Sequence, residues 1–169
     1  MALTITNLGT AVSVLDDQAL AITGNTASVG DMVVVVVAAA NSGSNGASSI
    51  SSVTDGANTY TSRALINYDP GAASAGATLD IFTSVLVSPL SNSTITVNFS
   101  ANTIQKAAHV YRAAPGAGQV PTFRAAGVGA TGNTATPTIT ATSVANGDTI
   151  FGGLANETDD TITGDTDTD

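Results

Sequence analysis

Residues 33–37 are five consecutive valines, led in by Gly30-Asp31-Met32 and followed by Ala38, Ala39 and Ala40. No other stretch constrains the fold as strongly. β-Branched side chains lose little rotamer freedom in an extended backbone and fit a pleated surface, so the run reads as a strand. Its apolar residues do not alternate with polar ones, and both of its faces must therefore be covered, which places it at the centre of a sheet. As a membrane span it fails, because the apolar stretch 32–40 is far shorter than the roughly 20 residues a bilayer core requires. The valine run is expected to be the middle of a soluble β-sandwich.

A chain of 169 residues fits one domain, and at this size folding buries roughly two-thirds of the unfolded surface. With no Cys, neither disulfides nor thiolate metal sites are available. Only 10% of the residues are charged, against about 25% in a typical globular domain, so the surface is coated by hydroxyls rather than ions. The acids are unevenly placed. Six of the 13 (Glu157, Asp159, Asp160, Asp165, Asp167 and Asp169) fall in the last 13 residues, which leaves 7 acids against 4 bases in residues 1–156. Arg63, Lys106, Arg112 and Arg124 are the only Lys or Arg residues, so there is no basic patch to neutralise phosphates, and no nucleic acid is expected as a partner. No membrane is expected either, since anionic lipid surfaces are disfavoured for the same reason. Met1-Ala2-Leu3-Thr4 has neither the positive n-region nor the apolar h-region of a signal peptide. If the protein acts outside a cell, it either gets there without a classical signal peptide, as release by lysis within a virus particle would allow, or its signal has been removed.

In chain order, Leu3 and Ile5 alternate with Thr4 and Thr6, which predicts a short first strand or a mobile arm before a turn at Asn7-Leu8-Gly9. Residues 19–22 are expected to be extended up to Gly24-Asn25, and the valine strand follows. Residues 41–49 are a loop of Asn, Ser and Gly. Residues 50–54 and 58–68 flank Asp55-Gly56, where glycine can supply the positive φ of a tight hairpin, so a hairpin is expected. Residues 79–87 form another strand, stopped by Pro89, which lacks a ladder donor. Residues 94–99 alternate most clearly, with Ile95, Val97 and Phe99 inward, and residues 105–112 give a further strand. After the loop at 113–121, strands are expected at 138–141 and 148–154. Gly24-Asn25-Thr26-Ala27 ahead of Gly30-Asp31 is echoed by Gly132-Asn133-Thr134-Ala135 ahead of Gly147-Asp148, as if both copies led into strands at related positions. These runs predict an all-β fold: a single antiparallel β-sandwich of about eight to ten short strands, immunoglobulin-like or jelly roll. The expected organisation is an N-terminal strand or arm at 1–10, the sandwich at 11–156 and an acidic, flexible tail at 157–169.

Chemistry is sparse. His109, the only histidine, lies in Lys106-Ala107-Ala108-His109-Val110-Tyr111-Arg112 with no carboxylate near it in sequence. No Gly-x-Ser-x-Gly elbow appears, and no Gly-rich stretch runs into Lys-Ser or Lys-Thr to hold phosphates. Asp16-Asp17 could be paired carboxylates, but neighbours on a strand point to opposite faces. Asp165, Asp167 and Asp169 stand at alternate positions, as in the opening of a calcium loop, and are the candidate metal ligands. The competing reading is a solvated acidic tail with no cofactor. Sequons at Asn92, Asn98 and Asn156 matter only in a glycosylating route.

Gly30-Asp31 with its apolar strand, then Ser52-Val53-Thr54-Asp55, Asn58-Thr59-Tyr60-Thr61, Ile81-Phe82-Thr83, Pro89-Leu90, Thr94-Ile95-Thr96-Val97, Lys106-Ala107-Ala108 and Val110-Tyr111, resemble a β-sandwich domain recurrent in tailed-phage virion proteins and bacterial surface proteins. The resemblance spans roughly residues 26–155. It implies a non-enzymatic role on a virion exterior: a capsid decoration or cement protein that binds the major capsid protein or other virion subunits, itself a homo-oligomer. The alternative it implies is a fibre, tail or cell-surface adhesion module, self-polymerising or recognising carbohydrate through Tyr60, Tyr68 or Phe123. On the decoration reading, Leu3 and Ile5 are the candidate partner-binding residues, adding a strand to a neighbour's sheet edge. His109 is the residue to test for any hydrolase activity.

Overall fold

The computed structural model of the chain describes residues 3–41, 49–70, 75–124, 129–131, 138–140, 144–146 and 148–155. Among them lie nine strands and no helix: β1 (Leu3–Ser13), β2 (Asp17–Ala27), β3 (Met32–Ala40), β4 (Ile50–Thr54), β5 (Thr61–Ser62), β6 (Ile66–Tyr68), β7 (Ala77–Val85), β8 (Leu90–Thr103) and β9 (Lys106–Pro115). They form two antiparallel sheets packed face to face. The larger runs β1-β9-β3-β7-β5, with β6 also on β7, and the smaller runs β2-β8-β4.

The pairing follows a simple rule. β1 pairs with β9, β2 with β8 and β3 with β7, nested like the two arms of a folded ribbon. Rolling that ribbon brings β9 against β3 and β8 against β4. This is the winding of a jelly roll, the second of the two topologies the sequence allowed. Where a jelly roll would place one more strand beside β4, the chain instead lays β5 and β6 along β7 in the larger sheet.

The valine strand sits where its composition requires, between β7 and β9. Its inner face, Val33, Val35 and Val37, is closed by Leu20, Ile22, Ile95, Val97 and Phe99 of the smaller sheet. Each such valine contributes about 2 kcal/mol by leaving water. Its outer face, Met32, Val34 and Val36, packs with Ile81, Ala113, Tyr111 and Leu3 and is capped by Phe151 from beyond the last strand. Gly30-Asp31 leads into the strand through a tight turn, with Gly30 at φ 87°. The Asp31 carboxylate accepts from Ser28 N at 2.8 Å and from Arg112 Nε at 2.6 Å, tying the turn to β9.

Four local expectations are corrected. Asn7-Leu8-Gly9 is a bulge within β1, where the register against β9 shifts between Asn7 and Gly9, so the strand continues to Ser13. Gly24-Asn25 likewise lies inside β2, where buried Asn25 donates to Ile22 O at 2.6 Å and Ser93 O at 3.1 Å across register shifts. Asp55-Gly56 makes a crossover rather than a hairpin, because β4 pairs in the smaller sheet and β5 in the larger. Residues 138–140 and 148–155 form no strand. The latter group instead crosses the outer face of the larger sheet, with Gly153 close against Val36 and Leu79. Thr149 to Leu154 therefore does not repeat the valine strand's position; Gly132 to Ala135 and Gly147 lie outside the described residues.

Candidate functional site

Antiparallel partners share a face, so the register defines the outer surface of the larger sheet. Val36 stands opposite His109 and Ile81, Ala38 opposite Ala107 and Leu79, and Val34 opposite Tyr111. The segment Gly152-Gly153-Leu154 lies across this face and leaves a groove of about 270 Å³, lined by Val36, Ala38, Leu79, Ala107, His109 and Tyr111. A Cβ on Gly153 would fall 2.7 Å from Val36 Cγ1 and 2.9 Å from Leu79 Cδ1, so only glycine allows so close an approach. Three rings run along one side: His109 stacks on Tyr111 at 6.1 Å and 14°, and Tyr111 meets Phe151 at 5.9 Å and 49°. The groove is an apolar trough with an aromatic wall. His109 is exposed, and among the described residues it has no hydrogen-bond partner to orient it as a base.

At one end of the sandwich the β1–β2 corner meets the β8–β9 turn over Lys106. Its ammonium is fully buried and donates to Leu15 O at 2.6 Å, Thr103 O at 2.6 Å and Asp17 O at 3.2 Å, and it pairs with the Asp17 carboxylate. The Phe99 ring lies 5.7 Å below it. The hydrogen bond from Lys106 holds the half-exposed Asp17 carboxyl below the usual aspartate range. Asp17 is thus occupied, and Asp16-Asp17 is not a free carboxylate pair. Lys106 was missed as an anchor by sequence reading, although its spacing from Ala108 and Val110 places it on the inward face of β9.

The β4–β5 crossover is tied by a second polar knot. Asp55 accepts from Ala57 N, Asn58 N, Asn58 Nδ2 and Tyr60 OH, the last at 3.1 Å. Burial pushes the Asp55 carboxyl up, but these hydrogen bonds outweigh it and the net direction is down. Burial and the Asp55 charge together raise the Tyr60 hydroxyl. Asn58 Oδ1 in turn accepts from Val87 N and Ser88 N, which fastens the crossover to the β7–β8 loop. The Asp55-x-x-Asn58-x-Tyr60 stretch therefore builds a corner.

The remaining candidates are scattered. Leu3 and Ile5 lie on the outer face of β1, Leu3 packed on the outer cluster and Ile5 40% exposed. Tyr60 packs against the core and Tyr68 is half-buried, while Phe123 is partly exposed beneath the Arg63 guanidinium, 4.6 Å from its ring centre. Asp165, Asp167 and Asp169 lie outside the described residues. Among the described residues no three His, Asp or Glu are grouped to hold a metal ion.

The smaller sheet offers a different surface. Ala19 and Ala21 of β2 stand opposite Asn98 and Thr96 of β8, which stand opposite Ser52 and Thr54 of β4. This outward face is made of methyls, hydroxyls and one amide, without a charge. Comparison of the chain with family models, curated proteins and solved structures returns no match.

Proposed function

We propose that this chain is a non-enzymatic structural protein that assembles on a larger surface, most concretely a decoration or cement protein on a virion exterior. The observation that carries the reading is the uncharged, register-aligned face of Ala19, Ala21, Thr96, Asn98, Ser52 and Thr54. Such a face suits docking by shape and hydrogen bonding against a large partner and gives little long-range steering. Jelly-roll winding recurs in viral capsid domains and also in lectins, which supports the reading by analogy of fold alone. Virion subunits are the proposed partners. An antiserum against the purified chain, used on density-gradient fractions from the source culture, tests it. Co-banding with particles at many copies per particle is expected; signal only in envelope or soluble fractions overturns it.

A second reading, a carbohydrate-binding adhesion module, draws on the groove rather than the sheet face. A sugar ring could stack on the aromatic wall of His109, Tyr111 and Phe151, with the apolar floor taking its CH face. A glycan array with signals lost in Tyr111→Ala would favour it, and a blank array would remove it.

A further inference from the structure

β1 is an edge strand. It pairs with β9 on one side, and among the described residues no backbone hydrogen bond reaches its other side. Exposed edges are normally blunted by charge, proline, shortness or a bulge that twists the edge away, and of these β1 has only the bulge between Asn7 and Gly9. β1 is 11 residues long, LTITNLGTAVS, with no charge and no proline. Its apolar exposure is concentrated along this edge and the corner after it: Val12 is 80% exposed, Val14 75%, Leu15 68% and Ile5 40%. An uncharged edge of this length accepts a strand of matching pattern, and the strand's own sequence supplies one.

We infer that the free edge of β1 pairs antiparallel with β1 of a second copy of this chain, about a two-fold axis passing between Leu8 and Gly9. The bulge is what makes the strand self-complementary. Because the register shifts between Asn7 and Gly9, Ile5 and Val12 lie on the same outer face although they are an odd number of positions apart. In the two-fold register Ile5 stands opposite Val12 of the second copy, Asn7 opposite Thr10, Thr6 opposite Ala11 and Thr4 opposite Ser13. Every opposed pair then shares a face, as antiparallel pairing demands, and Leu3 comes opposite Val14. The exposed apolar residues of each strand meet those of the other, and no like charges are opposed. The contact is isologous, so it closes as a dimer instead of growing into a fibre. The continuous sheet that results carries the outer face and groove of both copies side by side.

This deepens the assembly reading by naming one partner, and it is tested without particles, so the two can fail separately. Sedimentation velocity of the full chain over a wide concentration range should show a monomer–dimer equilibrium. The dimer should tighten as salt screens the net charge of −9 on each copy. Val12→Lys, at a side chain that makes no core contact, should weaken the dimer at least about tenfold while leaving the thermal melt at low concentration unchanged. The register is read by cross-linking in a chain that has no native Cys. In Ile5→Cys/Val12→Cys the two thiols of one chain lie roughly 20 Å apart along the strand, but each faces its counterpart across the axis at a separation a disulfide accepts. Oxidation should give a covalent dimer from the double variant and not from Ile5→Cys alone. A chain that stays monomeric throughout, or a dimer that ignores Val12→Lys and fails to cross-link in the double variant, overturns the inference.

Discussion

The two faces of the valine strand are closed in different ways. On the inner face Val33, Val35 and Val37 meet regular strands of a second sheet and are wholly buried. On the outer face Val34 is buried, but Val36 is only half-buried beside the groove under Gly152-Gly153-Leu154. A sheet laid on a sheet covers every second residue along its length, whereas a single irregular segment covers a line. The same five valines therefore form a core on one side and a candidate binding surface on the other.

The largest effect should separate the two faces outright. Val35→Asp puts an unpaired carboxylate into the space between the sheets, which exceeds the stability of a domain this size, so circular dichroism and gel filtration should find no folded protein. Val36→Asp, one residue on and facing the groove, should fold and lose about 1–2 kcal/mol in urea unfolding. Equal behaviour of the two would mean that the outer face is as closed as the inner one.

Next in size is Lys106→Met, which tests the end of the inner face rather than its middle. Methionine keeps the apolar stem but takes the ammonium away from the carbonyls of Leu15, Thr103 and Asp17, of which Leu15 O keeps the Asp17 amide as a donor, at a cost of about 3 kcal/mol. The Asp17 side chain is half-exposed, but its Oδ1, which faces the ammonium, is buried, so the loss should come from that oxygen as well as from the carbonyls. A change below about 1 kcal/mol by urea unfolding would show that water replaces the ammonium at this corner.

Much of this contrast was legible in the sequence, for a reason specific to each element. An unbroken β-branched run requires cover on both sides, and β3 has it; strict alternation in residues 94–99 put Ile95, Val97 and Phe99 inside. What sequence could not supply was the partner of each turn. Glycine at positive φ serves a bulged β-strand at Gly24 and a sheet-to-sheet crossover at Gly56, with φ of 81° and 83°, and nothing local distinguishes either from a hairpin. Strand pairing decides, and pairing is long-range. The segment 148–155 fails as a strand for a related reason: β3, β7 and β9 already pair along the middle of the larger sheet, so a chain crossing its face has no ladder to join. The groove was invisible because its wall comes from β9 and its roof from residues about forty positions further on.

A smaller effect isolates the outer face. Gly153→Val places a Cβ within 2.7 Å of Val36 Cγ1, so the crossing segment must lift. Global stability should change by about 1 kcal/mol or less, since the regular strands are untouched. Amide exchange at Gly152, Gly153 and Leu154 should accelerate while Val33, Val35 and Val37 keep their protection. Faster exchange in the valines as well would show the two faces to be one cooperative unit.

The smallest effect lies where the inner face itself turns polar. β7 carries Thr78, Asp80, Phe82 and Ser84 on that side, beyond the reach of a smaller sheet that ends at β4. Asp80 is buried with no cation among its described partners; burial raises its pKa, and hydrogen bonds from the Ser62 hydroxyl and the Ile81 and Ala64 amides only partly offset this. A raised carboxyl binds its proton more tightly in the folded chain than in the unfolded one. Its contribution to stability is therefore fully present below the ordinary aspartate value of 3.8, falls as pH rises from there, and levels off once Asp80 ionises in the folded state. The amide of the Asp80→Asn variant does not titrate, so the stability of the native chain relative to that variant should fall across the same window and stay flat on either side. Urea midpoints of the two proteins at matched pH values measure it, with the other carboxylates cancelling between them. A difference that rises with pH would mean that the hydrogen bonds win over burial, and that the inner face tolerates a charge where the smaller sheet runs out.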